Sequence, residues 1–235
     1  MVDFAKYAFN KSHAAAYAVI SVQTAWLKFY YPVEFMAALM TSVIDNSAKA
    51  AEYLLHCKEL GISVLPPDIN VGQGEFTAEG NAVRYGLYAI KSLGRPVIDS
   101  IIGERKKGGS YRTLQDFIER TVQRDINKRA IENLIKAGAC DGLDGNRHQM
   151  SIVYTSMVVR RKKTGLEGQM SLFDFVGEED KKDYEVHYPN VEEFPKEVLL
   201  GFEKEVLGIY LSGHPLEDYL GKMKKNVTAN AADFV

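Results

Sequence analysis

Cysteine is nearly absent. Cys57 and Cys140 are the only two in 235 residues, which makes no disulfide framework and no metal-site spacing. A reducing, cytoplasmic compartment is the expectation that follows. Long hydrophobic runs are missing too. The longest, over residues 14–22, is too short to cross a bilayer core of about 30 Å. No basic segment followed by a small-residue cleavage site opens the chain, so neither secretion nor a membrane is expected. His56 and Cys57 have no further Cys or His at ligand spacing. No close pair of acids reads as a two-metal site, since Asp99 and Asp141 lie among basic residues. No repeat longer than a helical hairpin is visible, and a complete catalytic centre is not expected.

What is present fits a soluble globular protein, at 46% hydrophobic and 26% charged residues. The length allows one large domain or two small ones. A formal net charge of -2 hides an asymmetry. Residues 81–140 hold twelve Lys and Arg against six acids, and residues 141–165 add a further net plus three. Residues 166–220 carry fourteen acids against four lysines and no arginine. A basic middle beside an acidic segment points to a polyanionic partner for the middle.

The first sixty residues read as helices. Ser12 is placed to cap a long first helix, and Pro32 suits the first turn of a second over residues 33–44. Ser47 is placed to cap a third that ends at Gly61. Val64-Leu65-Pro66-Pro67 predicts an extended edge segment, and Gly72, Gly74 and Gly80 a loop or hairpin around Phe76 and Val83. Further helices are predicted over residues 87–91 and 95–107. A capping box at Thr113 and Asp116 opens the next. Helices capped by Asn127, spanning residues 146–163 and 198–210, and starting at Leu216 complete the pattern.

Three segments carry candidate chemistry. Ile90-Lys91-Ser92-Leu93-Gly94-Arg95-Pro96 resembles a helix-hairpin-helix motif, in which a Gly-containing turn points backbone N–H groups at a phosphate without reading sequence. Lys91 and Arg95 would supply charge; Ser92 stands where the motif carries its first glycine. The plainer alternative is a helical corner with solvated basic residues. Asn10, Lys11, Ser12 and His13 precede a helix start that can hold a phosphate, or Ser12 is simply its cap. Gln169-Met170-Ser171-Leu172-Phe173 places apolar anchors in an acidic run without helical or strand period. It resembles the peptide that bacterial polymerases and repair proteins insert into the sliding clamp, with Gln169 at the rim and Leu172 and Phe173 in the pocket. The alternative is that both fold back onto the chain's own helices.

Longer signatures resemble one family, the alpha subunit of bacterial DNA polymerase III. Tyr7-Ala8-Phe9-Asn10-Lys11-Ser12-His13-Ala14-Ala15-Ala16-Tyr17 is similar to its fingers signature, continued by Tyr31-Pro32-Val33-Glu34-Phe35 and Leu65-Pro66-Pro67-Asp68-Ile69-Asn70. Tyr85-Gly86-Leu87-Tyr88-Ala89-Ile90-Lys91, Asn127-Lys128-Arg129-Ala130 and Glu203-Lys204-Glu205-Val206-Leu207-Gly208-Ile209-Tyr210 follow in the family's order. The resemblance implies a mainly α fold, a helical fingers segment plus a helix-hairpin-helix domain, with a minor β element. It divides the chain into distal fingers (1–80), hairpin region (81–163), acidic linker with clamp peptide (164–195) and a helical connection toward an oligonucleotide-binding fold (196–235). The partners it implies are primer-template DNA, dNTP, sliding clamp and other replicase subunits. It assigns Asn10, Lys11, Ser12 and His13 to the incoming nucleotide and places the magnesium-binding acids in a palm upstream of Met1. No cofactor is expected within the chain, and no polymerisation by it alone. Two alternatives stay open: a non-enzymatic adaptor for DNA and clamp, and a fragment of an error-prone paralogue.

Overall fold

The computed structural model describes residues 11–121, 126–164 and 186–219, and these are mainly α-helical with one small sheet. Helix α1 (Lys11–Tyr30) runs into α2 (Pro32–Ser42) through Tyr31, and α3 (Ser47–Glu59) follows. Pro32 sits in the first turn of α2, where its missing N–H costs nothing. Two start signals are shifted. Helical geometry already begins at Lys11, so Ser12 lies inside the first turn rather than capping it. Asn46, not Ser47, caps α3: its side chain accepts from Lys49 N at 3.1 Å, the reach from an N-cap to the third helical residue.

The predicted edge segment is strand β1 (Ser63–Leu65). Strands β2 (Thr77–Glu79) and β3 (Ala82–Arg84) form an antiparallel hairpin around Gly80 and Asn81, with Gly80 at φ +60°. β1 joins β3 in parallel, Val64 opposite Val83, so the order is β1-β3-β2 with β1 at an edge. The segment after β1 is an internal brace. The carboxylate of Asp68 accepts from Asn70 N at 2.6 Å and Val71 N at 3.1 Å. Asn70 exchanges hydrogen bonds with the Tyr111 backbone, and buried Arg105 donates to the carbonyls of Ile69 and Gly72 at 2.8 and 2.9 Å.

The expected helix over residues 87–91 is only a 3-10 turn, Leu87–Ala89. Its amides are taken elsewhere: Leu87 N donates to Gln73 O at 2.9 Å and Tyr88 N to Gly74 O at 2.8 Å. Gly86 permits this approach, because a Cβ there would lie 2.7 Å from the Glu75 backbone. Then come α4 (Arg95–Gly108), α5 (Leu114–Thr121), α6 (Lys128–Lys136) and α7 (Arg147–Thr164). At α5 only half the expected capping box forms. Thr113 Oγ1 accepts from Asp116 N at 3.0 Å, but the shorter Asp side chain reaches Arg112 N, and Leu114 N donates to Asp144 instead. Asn127 caps α6 as expected, accepting from Ala130 N at 2.9 Å.

Residues 186–195 strap across the start of α7. Glu193 accepts from Arg147 N at 2.9 Å and His148 N at 3.0 Å, and Asn146 donates to Val191 O. Helix α8 (Lys196–Val206) is shorter than predicted. Gly208 takes φ +80° and turns the chain out of the helix. The buried Glu203 carboxylate then accepts from Leu211 N and Ser212 N at 2.7 and 3.0 Å, folding residues 207–212 back. The helix predicted from Leu216 is one 3-10 turn, Glu217–Tyr219. One apolar cluster runs from Val33 and Met36 through Val83, Tyr85, Ile101, Phe117 and Leu134 to Val206 and Ile209. Among the described residues no helix is long and apolar enough to cross a membrane.

Candidate nucleic-acid interface

The hairpin is built from the core outward. Leu93 is buried and anchors the turn, while Lys91, Ser92, Gly94 and Arg95 around it are exposed. The backbone of Lys91 is clamped from both sides: its N–H donates to Val206 O at 2.8 Å, and its carbonyl accepts from Asn133 Nδ2 at 3.1 Å. Helices α8 and α6 therefore fix where the turn stands. Ser92 takes φ 62°, the one positive φ among the described non-glycine residues. The departure from glycine thus keeps the glycine conformation at a cost of about 1–2 kcal/mol. Gly94 begins α4 without a side-chain cap, and Pro96 in the first turn has no N–H to offer. Among the described residues, none accepts from the backbone N–H of Ser92 or Gly94. Two amides of exposed residues beside a helix N-terminus are left without an acceptor among the described residues, the arrangement that suits an anion.

Cations surround that turn unequally. Arg95 lies 3.5 Å from Asp45, both largely exposed, with its guanidinium 5.2 Å from the centre of the Tyr88 ring. Such a surface pair is weak enough for a phosphate to displace. Lys91 and Ser92 line a cavity of about 220 Å³ with Arg129, Glu132, Asn133, Lys136, Glu205 and Val206. Lys136 is already neutralised, 3.2 Å from Glu132 and 3.0 Å from Glu205. Burial works against its ammonium, but the hydrogen bonds it donates to Glu205 and Glu132 outweigh that and hold its pKa above the ordinary lysine value. Arg129 is exposed and makes no ion pair with a described residue. Arg129 stands in the sequence as part of the basic middle and of the Asn127-Lys128-Arg129-Ala130 signature, and its thirty-odd-residue distance from Lys91 hides that the two share one cavity.

The other candidate segments lie apart from this turn. Lys11, Ser12 and His13 share the exposed first turn of α1, with the His13 ring 4.5 Å from that of Tyr17; Asn10 lies outside the described residues. No hydrogen bond joins Lys11 or His13 to the hairpin among the described residues. None of α1 is buried: Trp26, Phe29 and Tyr30 are exposed, as is Tyr31 just beyond its end, although Trp26 packs 4.9 Å from Tyr30. Gln169, Met170, Ser171, Leu172 and Phe173 also lie outside the described residues.

The acids serve structure. Asp141 forms a bidentate pair with Arg147 at 2.6 and 2.8 Å, Asp144 receives Leu114 N, and Asp99 receives the Tyr88 hydroxyl. Among the described residues no group of three or more His, Cys, Asp or Glu is placed to hold a metal ion. Both cysteines are buried, and burial pushes the Cys57 thiol up to about 11 and that of Cys140 higher still.

Comparison with known proteins bears directly on this geometry. Residues 61–150, which include the turn and Arg129, match a family model described as a helix-hairpin-helix motif. The chain is 45% identical over 219 residues to DNA polymerase III subunit alpha of Borreliella burgdorferi, covering 92% of this chain. It is 43% identical over 226 residues to that of Vibrio cholerae and 40% identical over 228 residues to that of Escherichia coli K12, covering 94% and 95% of this chain. Over nearly all of its length the chain is similar to part of DNA polymerase III subunit alpha. It spans only 19% of the length of the Borreliella and Vibrio subunits and 20% of the Escherichia coli one.

Proposed function

We propose that this chain is the duplex-holding and nucleotide-facing portion of a DNA-directed DNA polymerase, the catalytic subunit of a bacterial replicase in the cytoplasm. The observation that carries the proposal is the Ser92 turn. It offers unbonded amides of exposed residues 92 and 94 and has Lys91, Arg95 and Arg129 close by. These groups suit backbone phosphates of primer-template DNA, bound without regard to sequence. Helix α1 carries the second task. Lys11, Ser12 and His13, with Asn10, face the incoming dNTP, where cations and hydrogen-bond donors align a triphosphate. The uncovered aromatic side chains of α1 fit a helix that packs against the remaining subunit, because a helix apolar on every side is normally buried. The magnesium-binding acids belong to that remainder, in a palm, and the chain alone does not polymerise.

The same proposal assigns residues 1–80 to fingers, 81–163 to the hairpin domain, 164–195 to a clamp-binding linker and 196–235 to the connection beyond. Gln169 contacts the rim of a sliding-clamp pocket, Leu172 and Phe173 fill it, and Met170 and Ser171 space them. Burying two such side chains contributes roughly 3–6 kcal/mol before the cost of ordering the linker. That is enough for a weak contact strengthened by high local concentration on DNA. Other replicase subunits are further partners.

A primer-extension experiment with the complete polymerase subunit separates the roles. Lys91→Ala with Arg129→Ala should raise the KM for primer-template and leave that for dNTP unchanged. His13→Ala should do the reverse. If the two substitutions act alike on both substrates, or on neither, the division of roles is wrong.

A further inference from the structure

Resting on the assignment of α1 to the nucleotide, a question arises about what sets the direction of that helix. Its 20 residues make a rod of about 30 Å at 1.5 Å per residue. No side chain along it is buried among the described residues, so packing against them does not aim it. It meets α2 at one residue: Tyr31 takes φ -134° and ψ 58°, its N–H donates to Leu27 O at 2.8 Å, and its carbonyl accepts from Phe35 N at 2.9 Å. Two helices joined by one non-helical residue can pivot there.

Among the described residues, one side-chain hydrogen bond ties α1 to α3 across the pivot. Lys28, in the last turn of α1, places Nζ 2.7 Å from Nε2 of His56 on α3, and His56 Nδ1 lies 3.0 Å from Glu59 Oε2. The chemistry fixes the roles. An ammonium only donates, so Nε2 must offer its lone pair to Lys28. The ring proton then sits on Nδ1 and is donated to the Glu59 carboxylate. Glu59 therefore selects the tautomer able to receive Lys28, just as a carboxylate behind a metal-binding histidine fixes its free nitrogen. The remaining charged pair near this face of α3, Lys49 with Glu52 at 2.8 Å, is satisfied within the helix.

We infer that His56 is a positioning residue for nucleotide incorporation: through Lys28 it fixes the angle of α1 and hence the place of Lys11, Ser12 and His13. The lever is long. A pivot of about 5° at Tyr31 moves the far end of a rod of about 30 Å by roughly 2.6 Å. Misplacement on that scale is costly for a reaction that depends on alignment. The brace itself is partly exposed, His56 keeping 34% of its side-chain exposure and Glu59 73%. It therefore adds little to stability and acts through geometry.

The test uses the complete polymerase subunit and reads dNTP KM, primer-template affinity and melting temperature together. His56→Ala and Lys28→Ala should each raise the dNTP KM by about tenfold, with primer-template affinity and melting temperature unchanged. The double variant should be no worse than either single one, because both remove the same contact. His56→Gln, whose amide oxygen can receive the Lys28 ammonium, should restore the KM. An unchanged KM in His56→Ala, additive effects, or no rescue by Gln would overturn the inference. His13→Ala provides the control. If it raises the KM while His56→Ala does not, the brace alone is wrong; if neither does, the assignment of α1 falls with it.

Discussion

Ser92 shows how one backbone angle can be read from function and missed from composition. The motif wanted glycine at this position, and serine there looked like a departure. The structure keeps the left-handed conformation and tolerates the side chain because Ser92 is exposed. Ser92→Gly should therefore preserve duplex binding and leave stability within about 1 kcal/mol, relief of strain being offset by greater freedom of the unfolded chain. Ser92→Val puts a β-branched side chain at φ 62° and should cost about 2 kcal/mol or more. Urea denaturation measures both, and a valine variant as stable as wild type would show that the turn is not held in this conformation. The thiols make a second test at this scale. Cys57 and Cys140 should resist a thiol reagent in the native protein at neutral pH and both react after denaturation. Because burial raises the Cys57 pKa from 9.0 to about 11, the neutral thiol is favoured in the fold. That contribution is whole below the unfolded value and is lost as pH rises through the folded one. Native labelling that is fast at neutral pH would contradict this burial.

At the scale of elements, the start signals were the most legible. Pro32 and Asn127 each mark a helix start because their effect is local: a missing N–H or a side-chain acceptor three residues before its donor. Elements decided by distant partners were not legible. The 3-10 turn at residues 87–89 gives its amides to Gln73 and Gly74, and α8 stops at Val206 because Gly208 and Glu203 turn the chain back. The strap over α7 was equally hidden, since Glu193 lies some forty-five residues from the amides it caps. Glu193→Ala should destabilise the chain by about 1–2 kcal/mol, by leaving two N–H groups without that acceptor at a helix N-terminus. Glu203→Ala should cost more, about 2–4 kcal/mol, since its carboxylate is buried and serves two amides. Equal losses measured in urea for the two variants would contradict the ranking.

For the whole molecule, the basic residues that the sequence spread over sixty positions become unequal. Arg105, Arg120 and Lys136 are taken into carbonyl and carboxylate contacts, whereas Lys91 and Arg129 open onto one cavity beside the turn. Charge counting located the region but not the residues, because partners such as Glu205 come from a helix on the far side of the acidic linker. The measurement that bears most directly on the duplex-holding role is the affinity of this chain for a short DNA duplex as a function of salt. Wild type should bind independently of sequence and weaken steeply as salt rises, and Lys91→Ala with Arg129→Ala should flatten the log–log slope by about 0.9 for each phosphate lost. The same affinity and the same slope in both proteins would mean that the Ser92 turn is a structural corner and holds no DNA.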